Sequence, residues 1–188
     1  MSISPKLIKD CLQNKRRAQN ELYNELFSYL MNICIRYKTN YDDAGSALNA
    51  IYFKILKGLV AIDINKPFLP WVKTIAIRHL VDEYRQNKKY IPNEASINDL
   101  EFMVESTEMD VNQKLNAEDI LNLIKQLPET TSQVFNLYVI DGYKHREISE
   151  MLEVSEGTSK WHLNMARKQL QAMLAAETKR LQNIKVEL

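Results

Sequence analysis

Apolar residues recur at spacings of three and four along most of the chain, the pattern of helices that each bury one face. Ala18, Leu22, Leu26, Tyr29, Leu30, Ile33 and Tyr37 form one stripe, and Ala44, Leu48, Ile51, Ile55 and Leu59 form the next. Ahead of them, Ser4 and Pro5 suit the cap and first turn of a short helix through Leu7, Ile8, Cys11 and Leu12. Asp42 and Asp43 are expected to supply the capping carboxylates of the third helix. The segment Ile62-Asp63-Ile64-Asn65-Lys66-Pro67 then breaks the period. A fourth helix is expected from Phe68-Leu69-Pro70-Trp71 through Ile75, Ile77, Val81 and Tyr84 to the basic run at residues 85–89, since Pro is tolerated in a first turn.

In the second half, residues 117–127 predict a helix with Ile120, Leu121 and Ile124 inward, and Pro128 forces a restart. Residues 129–140 predict the next, closed by Asp141 and a Gly142 suited to a left-handed turn. Two helices then follow in close succession, at 146–152 and from 157 to about 181. A short helix, a tight turn and a second helix with Leu163, Ala166 and Leu170 inward make the outline of a helix-turn-helix. Ile148 and Leu152 are expected to pack on Leu163 and Ala166, with Ser149 at the crossing, Val154 in the turn and Ser155 as the cap.

Composition supports an all-α chain, because 4 Gly and 5 Pro in 188 residues leave few tight turns for an all-β fold. No window approaches the roughly 18 apolar residues of a membrane span, and the start of the sequence lacks a long apolar run, so a cytoplasmic protein is expected. Cys11 and Cys34 sit among apolar helical neighbours without metal-ligand spacing and are expected to be buried free thiols. Net charge is +1 but unevenly laid out. Residues 1–89 hold 15 Lys and Arg against 8 Asp and Glu, residues 90–113 hold 6 acids and no base, and residues 114–188 hold 10 of each. That layout points to a basic module, a self-repelling acidic connector and a balanced module.

The outward face of the last helix carries Thr158, Lys160, Trp161, Asn164, Arg167 and Lys168, a set suited to phosphate oxygens and base edges in a major groove. Trp161 is either core, which would need an unusually wide apolar face, or exposed and able to meet a thymine methyl or a sugar. Trp71, with Phe68 and Ile75, is expected to pack in a core. His79, His145 and His162 match no metal motif, and no phosphate loop, nucleophile elbow or metal-spaced carboxylate pair is present. Neither catalysis nor a cofactor is expected.

Leu127-Pro128-Glu129, Val134-Phe135, Asp141-Gly142-Tyr143, Glu147-Ile148-Ser149, and Ser155-Glu156-Gly157-Thr158-Ser159-Lys160 up to Ala166-Arg167 together resemble region 4 of the extracytoplasmic-function sigma factors. The stretch Phe68-Leu69-Pro70-Trp71-Val72-Lys73-Thr74-Ile75-Ala76 is similar to region 2 of the same family, with the Asp42-Asp43-Ala44 helix at the expected distance before it. The resemblance implies a four-helix region 2 at 1–90, an acidic flexible linker at 91–115 and a helix-turn-helix region 4 at 116–188. It further implies a dissociable subunit of bacterial RNA polymerase that directs the core enzyme to promoters and helps open them. Partners would be the polymerase clamp and flap, promoter DNA and an anti-sigma factor.

Residue by residue, the resemblance assigns clamp binding to Ser46, Asn49, Tyr52 and Phe53, with Ser46 and Asn49 where the family usually has Asp and Gln. It assigns the minus-10 strand to Asp63, Ile64, Asn65, Lys66, Arg78, His79, Arg85, Lys88 and Lys89. Minus-35 recognition falls to Ser155, Thr158, Lys160, Trp161, Asn164, Arg167 and Lys168. Departures are Glu153 in place of Gly, Ser159 in place of Val, and Trp161, His162 and Met165 where Ser and Arg are typical. Two other classes fit the residues alone: a stand-alone helix-turn-helix regulator with a sensory or dimerising first module, and a protein-binding helical scaffold.

Overall fold

The computed structural model describes residues 3–63, 66–90 and 117–186, and among them every regular element is helical. The chain divides into two compact units, Met1–Asn87 and Lys88–Leu188. The acidic segment at 91–115 lies outside the described residues.

The first unit is built from α1 (Pro5–Leu12), α2 (Arg16–Tyr37), α3 (Tyr41–Gly58) and most of α4 (Phe68–Tyr90), with a single 3₁₀ turn at Leu59–Ala61. Ser4 caps α1 as expected, its hydroxyl accepting from the Lys6 amide with Pro5 in the first turn. Helix α2 has no side-chain cap at its start and is held by burial of Ala18, Leu22, Leu26, Leu30 and Ile33. A three-residue connection lays α3 against α2. The cap of α3 is Asn40 rather than an aspartate: its Oδ1 accepts from the Asp43 amide at 2.8 Å and its Nδ2 donates to the Asp43 carboxylate at 2.8 Å. Asp42 and Asp43 lie inside the first turn, where negative charge still favours the positive end of the helix.

Leu22, Leu26, Leu30, Leu48, Ile51, Ile55 and Ile77 are fully buried and make the centre of this unit. Cys11 and Cys34 are buried free thiols beside them. Two devices fix α4 against the rest. The Lys38 ammonium, at the end of α2, lies 2.8 Å from Glu83 of α4. At Gly58 an added Cβ would stand 2.9 Å from the Trp71 ring, so the indole in the first turn of α4 rests on the glycine backbone. Trp71 also packs tilted against Phe68, centroids 5.6 Å apart, and is half-buried.

The second unit contains α5 (Ala117–Lys125), α6 (Glu129–Phe135), α7 (His145–Leu152) and α8 (Glu156–Val186). The helix expected at 129–140 divides at Asn136, where a π turn at Asn136–Ile140 widens the coil and the Asp141 amide donates to the Asn136 carbonyl. The widened turn leaves Val139 and Ile140 exposed. Gly142 then takes a left-handed φ of 83°, as its position before α7 requires. Ile124, Leu127, Val134, Leu137, Ile148, Leu152, Leu163 and Ala166 form the core, and α6 and α7 both pack on α8.

Candidate nucleic-acid interface

The turn between α7 and α8 is organised atom by atom. Glu153 adopts a left-handed φ of 56°, the geometry for which glycine is the usual residue, and ends α7. The Val154 amide closes the turn on the Ser149 carbonyl at 3.1 Å. Ser155 caps α8: its Oγ accepts from the Thr158 amide at 2.9 Å and shares a second hydrogen bond with the Thr158 hydroxyl at 2.8 Å. Such a cap contributes about 1 kcal/mol. Both hydroxyls are thereby engaged in setting the start of the helix.

Beyond the cap, α8 has two distinct faces. Ser159, Leu163 and Ala166 are buried against α6 and α7, and Lys160, Asn164 and Arg167 are exposed on a separate face, with Trp161 and Lys168 half-buried beside it and Thr158 half-buried in the first turn. Of the residues expected to face a groove, Lys160, Asn164 and Arg167 share one exposed stripe of a capped helix, Trp161 and Lys168 border it, and Thr158 lies apart in the first turn.

The angle of that helix is set by two polar pairs that sequence reasoning did not single out. His145 Nδ1 lies 2.9 Å from Ser159 Oγ, with the Tyr138 ring stacked on the imidazole at 4.4 Å. On the other side, His162 Nδ1 lies 2.9 Å from Thr131 Oγ1 of α6. Ser159 is fully buried, and a hydroxyl between Leu163 and Ala166 needs such a partner; that demand was the available signal. Burial pushes the His162 imidazole down to about 4. His145 is lowered by burial and then by the Lys160 charge. Both imidazoles are neutral near pH 7 and can pair with a hydroxyl as donor or acceptor.

The first unit presents a different surface. Ser46, Asn49 and Phe53 lie exposed along α3, and Phe53 is 58% exposed beneath the Lys57 ammonium, which is 4.3 Å above its ring. Asn49 Oδ1 accepts from the Tyr23 hydroxyl at 3.0 Å. Tyr52 turns inward, donating its hydroxyl to the Gln19 carbonyl, and burial pushes its pKa up to about 12. Tyr52 therefore anchors α3 on α2 while its neighbours face out.

Of the residues expected along a single strand, Asp63, Lys66, Arg78 and Lys88 are exposed, and Arg85 is half-buried with Asp82 at 3.7 Å. Ile64, Asn65 and the Lys89 side chain lie outside the described residues. His79 is corrected by its burial. It is 9% exposed, its Nε2 is 3.6 Å from Glu83, and desolvation lowers its pKa despite that carboxylate. A buried and largely neutral ring does not line a phosphate path.

Comparison with known proteins matches residues 117–170 to the Sigma-70, region 4 family. The chain is 22% identical over 181 residues to the ECF RNA polymerase sigma factor SigW of Bacillus subtilis, covering 89% of this chain and 97% of that one. Among solved structures it resembles the sigma factor RpoE of Bartonella quintana, crystallised with the anti-sigma factor NepR. The TM-score is 0.50 and the identity 15%, over 82% of this chain and 97% of that one. A further likeness, at a TM-score of 0.47 and 17% identity over 90% and 96% of the two chains, is to CnrH with the cytosolic domain of CnrY. The matched segment spans the capped turn and the two-faced helix described above. Residues 117–170 thus carry the sigma-70 region 4 match, and over most of its length the chain is similar to an extracytoplasmic-function sigma factor.

Proposed function

We propose that this chain acts as a sigma factor that brings core RNA polymerase to a set of promoters through two grips, one on each unit. In the second unit, α8 enters the major groove of the minus-35 element with Lys160, Asn164 and Arg167 on its groove face and Trp161 and Lys168 at the margins. Ser155 and Thr158 set the start of that helix. In the first unit, Asp63, Ile64, Asn65 and Lys66 hold an unstacked minus-10 base, and Arg78 and Arg85, continued by Lys88 and Lys89 at the end of α4, follow the strand backbone. Ser46, Asn49 and Phe53 dock on the polymerase clamp, steadied by Tyr52. The observation that carries the reading is the polar, cationic stripe of α8 mounted on a turn whose cap and hinge are fully engaged.

The division into modules follows residues 1–90, 91–115 and 116–188. The last module is nearly charge-balanced, with 9 Lys and Arg against 10 Asp and Glu, so its pull on DNA is local and its salt dependence shallow; tethering to polymerase supplies the effective concentration that it lacks alone. The exposed apolar residues Phe53, Val60, Val139 and Ile140 suit protein partners, and we assign them to the polymerase or to an anti-sigma factor of the kind seen with the Bartonella relative. Work on a chromosome places the protein in the cytoplasm, and no helix of the described residues is long and apolar enough to cross a membrane. Chemistry is left to the polymerase.

The test is run-off transcription from genomic fragments by core polymerase with and without the chain. Heparin-resistant open complexes are expected on a subset of fragments, and their absence from all of them would overturn the proposal. On a responsive promoter, Lys160→Glu should lower minus-35-dependent initiation about tenfold, the scale of one lost base or phosphate contact. A stand-alone regulator would instead bind its duplex without polymerase.

A further inference from the structure

One residue beside the groove-facing stripe is not accounted for by charge. Trp161 lies next to Asn164 at the margin of that stripe, half-buried, while the inner face of α8 is already filled by Ser159, Leu163 and Ala166. Its ring meets the His162 ring edge-on, centroids 4.9 Å apart and planes at 78°. His162 is pinned in turn, with Nδ1 2.9 Å from the hydroxyl of Thr131, which is 2% exposed on α6. Thr131, His162 and Trp161 thus form a continuous line from the interior of the second unit to the surface that faces a groove.

An indole on an unsupported surface rotamer covers several positions; one braced by a pinned imidazole presents its apolar edge at a single place. In the major groove the apolar feature of a base pair is the C5-methyl group of thymine. Phosphate oxygens call for hydrogen-bond donors, and Lys160 and Arg167 already supply charged ones on the same stripe. Resting on the function proposed above, we infer that Trp161 reads a thymine methyl within the minus-35 element and that His162 and Thr131 are positioning residues that hold the indole for it.

The experiment uses holoenzyme reconstituted from the full chain and core polymerase, on a promoter identified in the run-off screen. Each thymine of its minus-35 element is replaced in turn by deoxyuridine, which removes only the methyl group. With the wild-type chain one replacement should lower open-complex formation about three- to fivefold, the scale of a single buried methyl. With Trp161→Ala that replacement should have no effect, and Trp161→Phe should restore part of it. Thr131→Val keeps the shape but removes the hydroxyl and should abolish the methyl dependence; Thr131→Ser should restore it. A Thr131 that only stabilises the fold would weaken methylated and unmethylated promoters alike, and an unchanged ratio would overturn its positioning role. If no thymine shows methyl dependence, or if Trp161→Ala retains it while Lys160→Glu still impairs initiation, the inference fails and the promoter-binding function stands. If no promoter responds to the chain at all, both fail together.

Discussion

At the centre of the first unit, Leu22, Leu26, Leu30, Leu48, Ile51 and Ile55 are almost wholly aliphatic neighbours, and His79 is the buried polar residue beside them. The second unit buries Thr130, Thr131, Gln133, Asn136 and Ser159 among fewer large apolar side chains. Apolar burial is strong but non-directional, whereas a hydrogen bond inside a protein fixes an angle as well as a distance. A unit that docks through broad exposed patches, the role proposed for the first, tolerates small rotations of its helices. One that places a single helix against base edges, the role proposed for the second, does not, and in that unit α8 is held from both sides by histidine–hydroxyl pairs.

Because each unit carries one of the two tryptophans, single-tryptophan variants report unfolding of the units separately, which a whole-chain signal from a two-unit protein does not. The sharpest way to break the contrast is Leu48→Ala. It should lower the stability of the first unit by about 2–5 kcal/mol in urea titrations read at Trp71, and leave the Trp161 transition in place. An equal fall in both transitions would mean that the units do not unfold independently. Next in size is Gly58→Ala, whose new methyl would meet the Trp71 ring at 2.9 Å. It should cost about 1–3 kcal/mol and shift the Trp71 emission, whereas unchanged emission and stability would show that the indole yields freely.

Acidification gives the smallest and most discriminating effect. An unfolded histidine takes up its proton near pH 6.5, while burial holds His162 down to about 4. The unfolded second unit therefore binds more protons between those values. Its stability is complete above about pH 6.5 and falls as pH drops toward 4, on the order of 1 kcal/mol once the partial exposure of the ring to solvent is allowed for. His145 shifts in the same direction. In the first unit His79 does too, but Glu83 opposes the shift, so the Trp71 transition should be less sensitive. His162→Asn should flatten the slope of the second unit, and equal slopes in the two units would remove the distinction.

The helices were legible because periodicity survives any tertiary arrangement: the stripes through α2, α3 and α8 are the buried faces of the structure. So were the serine caps at Ser4 and Ser155, each one hydroxyl before an apolar run. Choosing Asp42 and Asp43 over Asn40 to cap α3 failed because both residue types cap well, and only the point at which the chain leaves α2 selects between them. The π turn at Asn136 leaves no trace in a pattern that an unbroken helix would satisfy equally. His79 stands at helical spacing from Val72 and Ala76, so its burial was readable there, and counting it as a surface cation overlooked that stripe. At the site, the exposed face of α8 followed from its polar residues. The pairs behind it depend on which residues of α6 and α7 lie opposite Ser159 and His162, a matter of three-dimensional register.

Cys34 has no exposed surface, and burial drives its thiol up to about 12; Cys11 beside α2 is raised for the same reason. At neutral pH the reactive anion of Cys34 is then scarce, and oxidants or alkylating reagents meet it only when the helices part. These sulfur atoms make the chain a poor detector of oxidative stress in its own right. They also offer a built-in clock for its breathing, since the rate at which a thiol reagent is consumed under native conditions counts the openings of α1 and α2.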